Sequence, residues 1–459
     1  MGRFQTKLPG FLLAFAVLSP VTAQTFQNHD NTVLRQIIVF GRHGVRAPTA
    51  TPAQYAQFSP RPYPQFGVST GYLTVHGQQA EVLLGTYFRS YLLAEGLLTG
   101  NADADLAASY FRANSIQRSN VTATMFGQGL FPGATIPVHS YALGLPDPVF
   151  DPIQAQVAVV DAALAAQEVQ EIYSNGTALA SAYSAEFSLV RSVLFNYPTG
   201  TQPLPATPPG VTDPTVEPIP LTATAGPLYT GAVVNLGGLE DTGNAADPFV
   251  MEYTAGLPLA DVGWGGLSTD ALSQQLRLAI LTLKIEMQAP YVDQVQSSNA
   301  AAHVLRSMQQ AVTGSAVPGA FSAPAGKALV VISSDAYVAG LAGLLHAHWR
   351  LPGYQPDFCA PGGALVFELR QAPDTGQYLV RVYYTTQSLD QLRNLTPLSL
   401  QTPPETAQLF IPGGSTPGAS FDIDFDTFQK LVTQAIGLQY VQDPSKETPP
   451  GVLTNVPLE

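Results

Sequence analysis

The stretch Leu34–Phe40 closes on four consecutive apolar side chains, Ile37-Ile38-Val39-Phe40, with no polar face alternating between them. Such a run, ended by Gly41, fits a strand buried on both sides, as in a parallel sheet. From Thr74 the period changes. Apolar residues recur at helical spacing through TVHGQQAEVLLGTYFRSYLLAEGLL, with Thr74 placed to cap the first turn. Ser109–Asn114 and Ile136–Ala142 read as further strands, and QRSNVTATMFGQGL between them reads as a helix. Ala328–Ser333 is a second fully apolar strand, followed by a helix from about Ala336 to Trp349. Ala364–Arg370 and Tyr378–Thr385 form a predicted hairpin across PDTGQ, and Asp426–Ile436 a last short helix.

The middle of the chain has a different texture. Ala155–Val193 is Ala-rich and helical in pattern, and Ala271–Met308 is helical again. Tyr197–Pro227 is a Pro/Thr/Gly tract that reads as a loop rather than as strands. The expected fold class is therefore α/β. A sheet domain over residues 24–150 and 300–459 is interrupted by a mostly helical cap over 151–299, with a Pro-rich loop at 197–227.

Charge narrows the function. The chain holds 20 Lys and Arg against 33 Asp and Glu, a formal charge of −13. That balance argues against nucleic acid as a partner and requires any anion site to be a local positive pocket. Residues 1–23 carry Arg3 and Lys7, a short apolar stretch and Val21-Thr22-Ala23, the pattern of a signal peptide cleaved before Gln24. Export to the periplasm or beyond is the expectation, with no membrane partner, because no later segment reads as transmembrane. With one cysteine, Cys359, no internal disulfide can form.

Against this sparing use of positive charge, Arg42, His43 and Arg46 crowd behind the first strand in GRHGVRAPT. Ligands of α/β sheets bind beyond the C-terminal ends of strands. Two guanidinium forks there suit a tetrahedral oxyanion, and an imidazole between them can act as a nucleophile. Gly44 lets the backbone approach a ligand closely.

Arg42-His43-Gly44-Val45-Arg46-Ala47-Pro48 resembles the R-H-G-x-R-x-P signature of the histidine acid phosphatases, branch 2 of the histidine phosphatase superfamily. The likeness extends over most of the chain, through DPFVMEY…VGWGGLS, HWRLPGYQPDFCAPGGALVFELR and TTQSLDQLRNLTPLSLQTPP, toward the bacterial periplasmic phytase and glucose-1-phosphatase group. The resemblance implies a phosphoglycerate-mutase-like α/β domain with a helical cap. It implies a phosphohistidine intermediate on His43, phosphate contacts from Arg42, Arg46 and Arg118, and a further substrate contact at Thr49. Asp335 falls on the family's general acid. The histidine expected before it is Ser334, which donates a hydrogen bond without charge.

What is implied is a secreted acid phosphatase acting on a sugar phosphate or another small phosphomonoester, inositol phosphates included, with no metal and no cofactor. Ala50 stands where the phytase group commonly carries a basic residue, which lowers the expectation for phytate itself. The alternative is a pseudophosphatase that binds phosphorylated ligands with little turnover, motivated by Ser334. Plainer roles also fit single residues: Ser334 and Asp335 suit a helix N-cap, and Arg118 suits an exposed helix face. His346 and His348 form the only close histidine pair. Residues two apart diverge on a helix, so no metal site is expected there, and His346 lies too far along the chain to stand in at position 334.

Overall fold

The computed structural model describes residues 31–198, 200–224, 233–416 and 421–458; the expected signal peptide, 1–23, lies outside them. The strands are β1 (Val33–Arg42), β2 (Ser109–Ala113), β3 (Val138–His139), β4 (Thr222–Ala223), β5 (Val234–Asn235), β6 (Ala328–Ser333), β7 (Ala364–Gln371), β8 (Tyr378–Thr386), β9 (Glu405–Gln408) and β10 (Ile423–Asp424). All but β4 and β5 join one mixed sheet in the order β10-β8-β7-β1-β6-β2-β3, with β9 on β8. β1, β6, β2 and β3 run parallel, and β7 and β8 continue the sheet antiparallel from β1.

The apolar run of β1 feeds both faces of this sheet. Ile38 and Phe40 join one core cluster, and Ile37 and Val39 the other. β6 does the same, with Leu329 and Val331 on the first face and Val330 and Ile332 on the second. The second face is covered by the helices Val75–Ala94 and Gln117–Leu130 through Leu84, Phe88, Phe126 and Leu130. The first is covered by Pro290–Thr313, Asp335–Leu344 and Phe425–Ala435 through Val304, Leu341 and Phe428. Continuous apolar strands follow from this two-sided burial, which removes water from both faces.

Several elements differ from the sequence expectation. Ile136–Ala142 contributes only the two residues of β3 to the sheet. The Ala155–Val193 stretch is three helices, Ala162–Tyr173, Gly176–Ala182 and Ser184–Phe195, broken at Ser174 and Tyr183. Ala271–Met308 spans two helices, because Pro290 cannot donate a backbone hydrogen bond and starts a new one. That second helix runs through residues 299 and 300, so the expected domain boundary falls inside a continuous element. The Pro-rich tract carries a 3-10 turn at Pro214–Val216, and its Thr222–Ala223 pairs with β5. The helix after β6 ends at Leu344, not Trp349. The helix Gly238–Thr254, hidden by its Gly, Asp and Pro content, packs on the Thr269–Gln288 helix.

One buried carboxyl lies against the loop that follows β1. Glu81, on the Val75–Ala94 helix, is 1% exposed, and its Oε1 has no hydrogen-bond partner. It fits because Gly44 and Gly362 have no side chain; a Cβ on either would stand 2.5 Å from that oxygen. Burial pushes the Glu81 carboxyl up to about 8. A carboxyl raised above its ordinary value folds in the neutral form. Its stabilisation is complete below about pH 4.5 and is lost as pH rises toward about 8. Glu81→Gln should therefore gain on the wild type progressively across that window, by a few kcal/mol at order of magnitude by pH 8.5. Paired urea titrations of both proteins at pH 4.5 and 8.5 check this; a stability difference that is the same at both pH values is the contrary result.

Candidate active site

Three neighbouring parallel strands end together. Arg42, the last residue of β1, is in register with Ser333, the last residue of β6, and Ala113 of β2 pairs with Ile332. His43 N–H donates to the Ser333 carbonyl at 2.9 Å, so the chain leaving β1 is bonded across to the end of β6. The helix Asp335–Leu344 follows β6, and the helix carrying Arg118 in its first turn follows β2. The loop after His43 is held on both sides. Gly44 N–H donates to Thr122 Oγ1 at 3.0 Å, and Gly362 N–H to the His43 carbonyl at 3.0 Å.

The three arginines are fixed separately. Arg42 is 3% exposed; its Nη1 donates to the Cys359 carbonyl at 2.5 Å and its Nη2 lies 3.1 Å from Asp335 Oδ2. Arg46 makes a two-pronged pair with Asp247, Nη1 to Oδ2 at 3.0 Å and Nη2 to Oδ1 at 3.2 Å. Burial opposes the charge on Arg46, but Asp247 more than offsets it and leaves the group raised. Arg118 Nη1 donates to the Gly71 carbonyl at 3.4 Å. Burial, then Arg46 and Arg42, pulls Arg118 down to about 10. On all three, Nε is buried with no hydrogen-bond partner. Buried donors of this kind are costly unless an acceptor meets them, and an oxyanion supplies several at once.

His43 is 2% exposed in the middle of this charge. Its Nδ1 lies 2.9 Å from the Gly44 carbonyl. A carbonyl only accepts, so Nδ1 carries the proton and Nε2 keeps its lone pair. Burial first, then Arg118, Arg42 and Arg46, holds the imidazole well below its ordinary 6.5. The ring therefore keeps its neutral form to lower pH than a free histidine does.

Ser334 and Asp335 stand beside it at the end of β6. Ser334 occupies the N-cap position, but its side chain makes no capping hydrogen bond. Asp335 is the first residue of the helix; its Oδ1 accepts from Ala336 N–H at 3.1 Å. Its side chain is 34% exposed, so it meets both Arg42 and solvent. Thr49 is exposed and lies near Gly71. His346 sits past the end of the helix in a left-handed conformation, with φ of 49°, and His348 pairs with Asp357 at 3.1 Å.

Comparison with known proteins gives a consistent answer. Residues 33–181 match the model of the histidine phosphatase superfamily (branch 2). The chain is 27% identical over 435 residues to Phytase AppA of Escherichia coli, and 28% identical over 426 residues to glucose-1-phosphatase of Salmonella typhimurium. Each alignment covers 92% of this chain and 96% of the relative. The apo form of Hafnia alvei phytase superposes with a TM-score of 0.76 at 26% identity, over 91% of this chain and all of that one. The same phytase in complex with myo-inositol hexakis sulphate superposes at 0.74, over 90% and 99%. By its N-terminal third this chain resembles the histidine phosphatase superfamily, branch 2, and over nine-tenths of its length it is similar to phytases and glucose-1-phosphatases. Its enzyme class is that of its relatives, phosphoric monoester hydrolase.

The structure brings Arg42, His43, Arg46, Arg118, Ser334 and Asp335 to one place and leaves Thr49 at its margin. Sequence reasoning missed Asp247, which fixes Arg46 from the Gly238–Thr254 helix, and the carbonyl of Cys359, which holds Arg42. A carbonyl leaves no mark in sequence. Asp247 opens the DPFVMEY stretch that carries part of the family likeness, but its residue type alone does not say that it meets an arginine two hundred residues earlier.

The field of the arginines on His43 is directly measurable. Arg118→Gln should move the imidazole titration toward 6.5, because Arg118 is the largest charge acting on it. Histidine NMR titration of ligand-free wild type and variant reads this. An unshifted His43 resonance in the variant counts against the arrangement.

Proposed function

We propose that this enzyme hydrolyses small phosphomonoesters through a covalent phosphohistidine on Nε2 of His43, with Asp335 as the general acid. The observation that carries the reading is the neutral, lone-pair-bearing Nε2 among three guanidinium groups that each keep a buried, unpaired Nε–H. Phosphate oxygens accept from Arg42, Arg46 and Arg118, and Nε2 attacks phosphorus. The phosphorus–oxygen ester bond breaks with its electron pair going to the alcohol oxygen, which Asp335 protonates. Water then attacks the phosphohistidine, Asp335 takes its proton, and inorganic phosphate leaves.

Each part has a physical basis. The incoming anion competes with Asp335 for Arg42, which frees the carboxyl to meet the leaving alcohol. Nδ1–H donation to the Gly44 carbonyl stabilises the positive ring that forms when Nε2 is phosphorylated. The fixed arginines offset charge on the transferring group without rearranging. In this reading residues 24–150 and 300–459 form the catalytic unit, and 151–299 a cap whose Asp247 braces the cradle. The N-terminal sequence supports export to the periplasm or beyond, and no described helix is long and apolar enough to cross a membrane. Glucose-1-phosphatase and phytase relatives favour a sugar phosphate or an inositol phosphate as substrate.

Ser334 sets the rate. A hydrogen bond from a charged donor is worth ~1.5–3 kcal/mol, so its neutral replacement costs roughly 10–100-fold. Rapid-quench kinetics with p-nitrophenyl phosphate at about pH 5 test the mechanism. The wild type should give a burst of nitrophenol and an acid-labile phosphoprotein, both lost in His43→Ala, and Ser334→His should raise turnover roughly 10–100-fold. Turnover retained in His43→Ala overturns the mechanism. Phosphate binding without turnover in the wild type supports the pseudophosphatase reading instead.

A further inference from the structure

Beside the cradle lies a cleft that the phosphate chemistry does not use. It is open to solvent and encloses about 50 Å³ between the loop leaving Arg46 and the segment before Gly71. Its walls are tied to the cradle at both ends. Pro48 and Ala50 follow Arg46 directly, and Gly71 N–H donates to the Pro48 carbonyl at 2.8 Å while its carbonyl accepts from Arg118. The loop that carries Arg46 and the segment that Arg118 bonds thus continue into the walls of this cleft.

The lining is aromatic and uncharged. Tyr55, Tyr63 and Phe66 line it with Pro48 and Pro64, Gln65 and Thr70 add uncharged polar groups, and no Lys, Arg, Asp or Glu contributes to it. The rings are braced. Tyr55 and Tyr63 pack at 4.7 Å between centroids, Tyr63 meets Trp264 edge-on at 4.7 Å, and Tyr63 Oη donates to the Ala245 carbonyl at 2.9 Å. The one cation of this loop, Arg61, is turned away: its guanidinium lies 4.2 Å over Trp264 and donates to the Val193 carbonyl. A polyanionic alcohol would lie against apolar rings here with nothing to neutralise it, whereas a flat ring gains contact area and quadrupole complementarity.

We propose that this cleft is a leaving-group subsite that selects phosphomonoesters of aromatic alcohols over those of small or polyanionic alcohols. This rests on the phosphohydrolase reading above and assigns its substrate class. The alcohol ring packs on Phe66 and the proline walls while its phosphate sits on the arginines.

The test compares benzyl phosphate with methyl phosphate, whose alcohols have similar basicity, so the ease of departure is matched. Wild type should favour benzyl phosphate in kcat/KM by about tenfold or more, in the range one good apolar contact gives. Phe66→Ala should lower the benzyl-to-methyl ratio several-fold. Ala50→Lys should raise phytate relative to benzyl phosphate. A ratio near one in the wild type, or one unmoved by Phe66→Ala, overturns the subsite while turnover itself upholds the hydrolase. If neither ester turns over, the hydrolase reading is the one that fails. Calorimetry of the same two esters then decides the subsite: tighter benzyl phosphate binding weakened by Phe66→Ala supports it, and equal binding of the two overturns it.

Discussion

Like charges repel, and this fold is built around holding three of them together. Arg42, Arg46 and Arg118 lie close enough that each guanidinium bears on the same imidazole. Each is restrained by a different part of the chain: a carbonyl after the Asp335–Leu344 helix for Arg42, a carboxylate from the helical middle for Arg46, and a loop carbonyl for Arg118. No single loop could do this, because flexible side chains would swing apart into water. The parallel strand ends are therefore a functional requirement: they set the backbone origins of the cradle before any side chain is placed.

The same repulsion explains the histidine. An imidazole in water at acidic pH is protonated and has no lone pair at Nε2 to give. Surrounding it with fixed cations and excluding water works against that preference, so in the proposed reaction the charge that binds the substrate also prepares the nucleophile. The two effects cannot be separated by mutation of one arginine, since each guanidinium serves both. Asp335 shows the complementary logic. Lying 3.1 Å from Arg42, it occupies the ground that a phosphate oxygen would claim.

What was legible in sequence follows from how local each signal is. β1, β6 and the Gln117–Leu130 helix are written in the local pattern, because each is buried over most of its length. Arg42, His43 and Arg46 stood out as clustered charge on an acidic chain, and Arg118, Ser334 and Asp335 were reached through the family likeness. The Gly238–Thr254 helix was not legible, since its first turns carry Gly, Asp and Asn, and a proline lies within it. Glu81 was illegible for the opposite reason. It sits in a strongly helical stretch whose pattern does not mark it, yet two glycines distant in sequence open a space beneath the loop after β1 that takes it in. Juxtapositions made by chain crossings, rather than by local pattern, were the ones missed.

Cys359 is the chain's only cysteine and is buried, with its carbonyl spent on Arg42 and its thiol pushed up by burial. A polypeptide without a partner sulfur has no oxidative step on its folding route. Its maturation needs neither a thiol oxidase nor an isomerase, and no scrambled isomers exist for it to escape. The redox potential of the compartment in which it assembles is thus a variable to which the native state is indifferent.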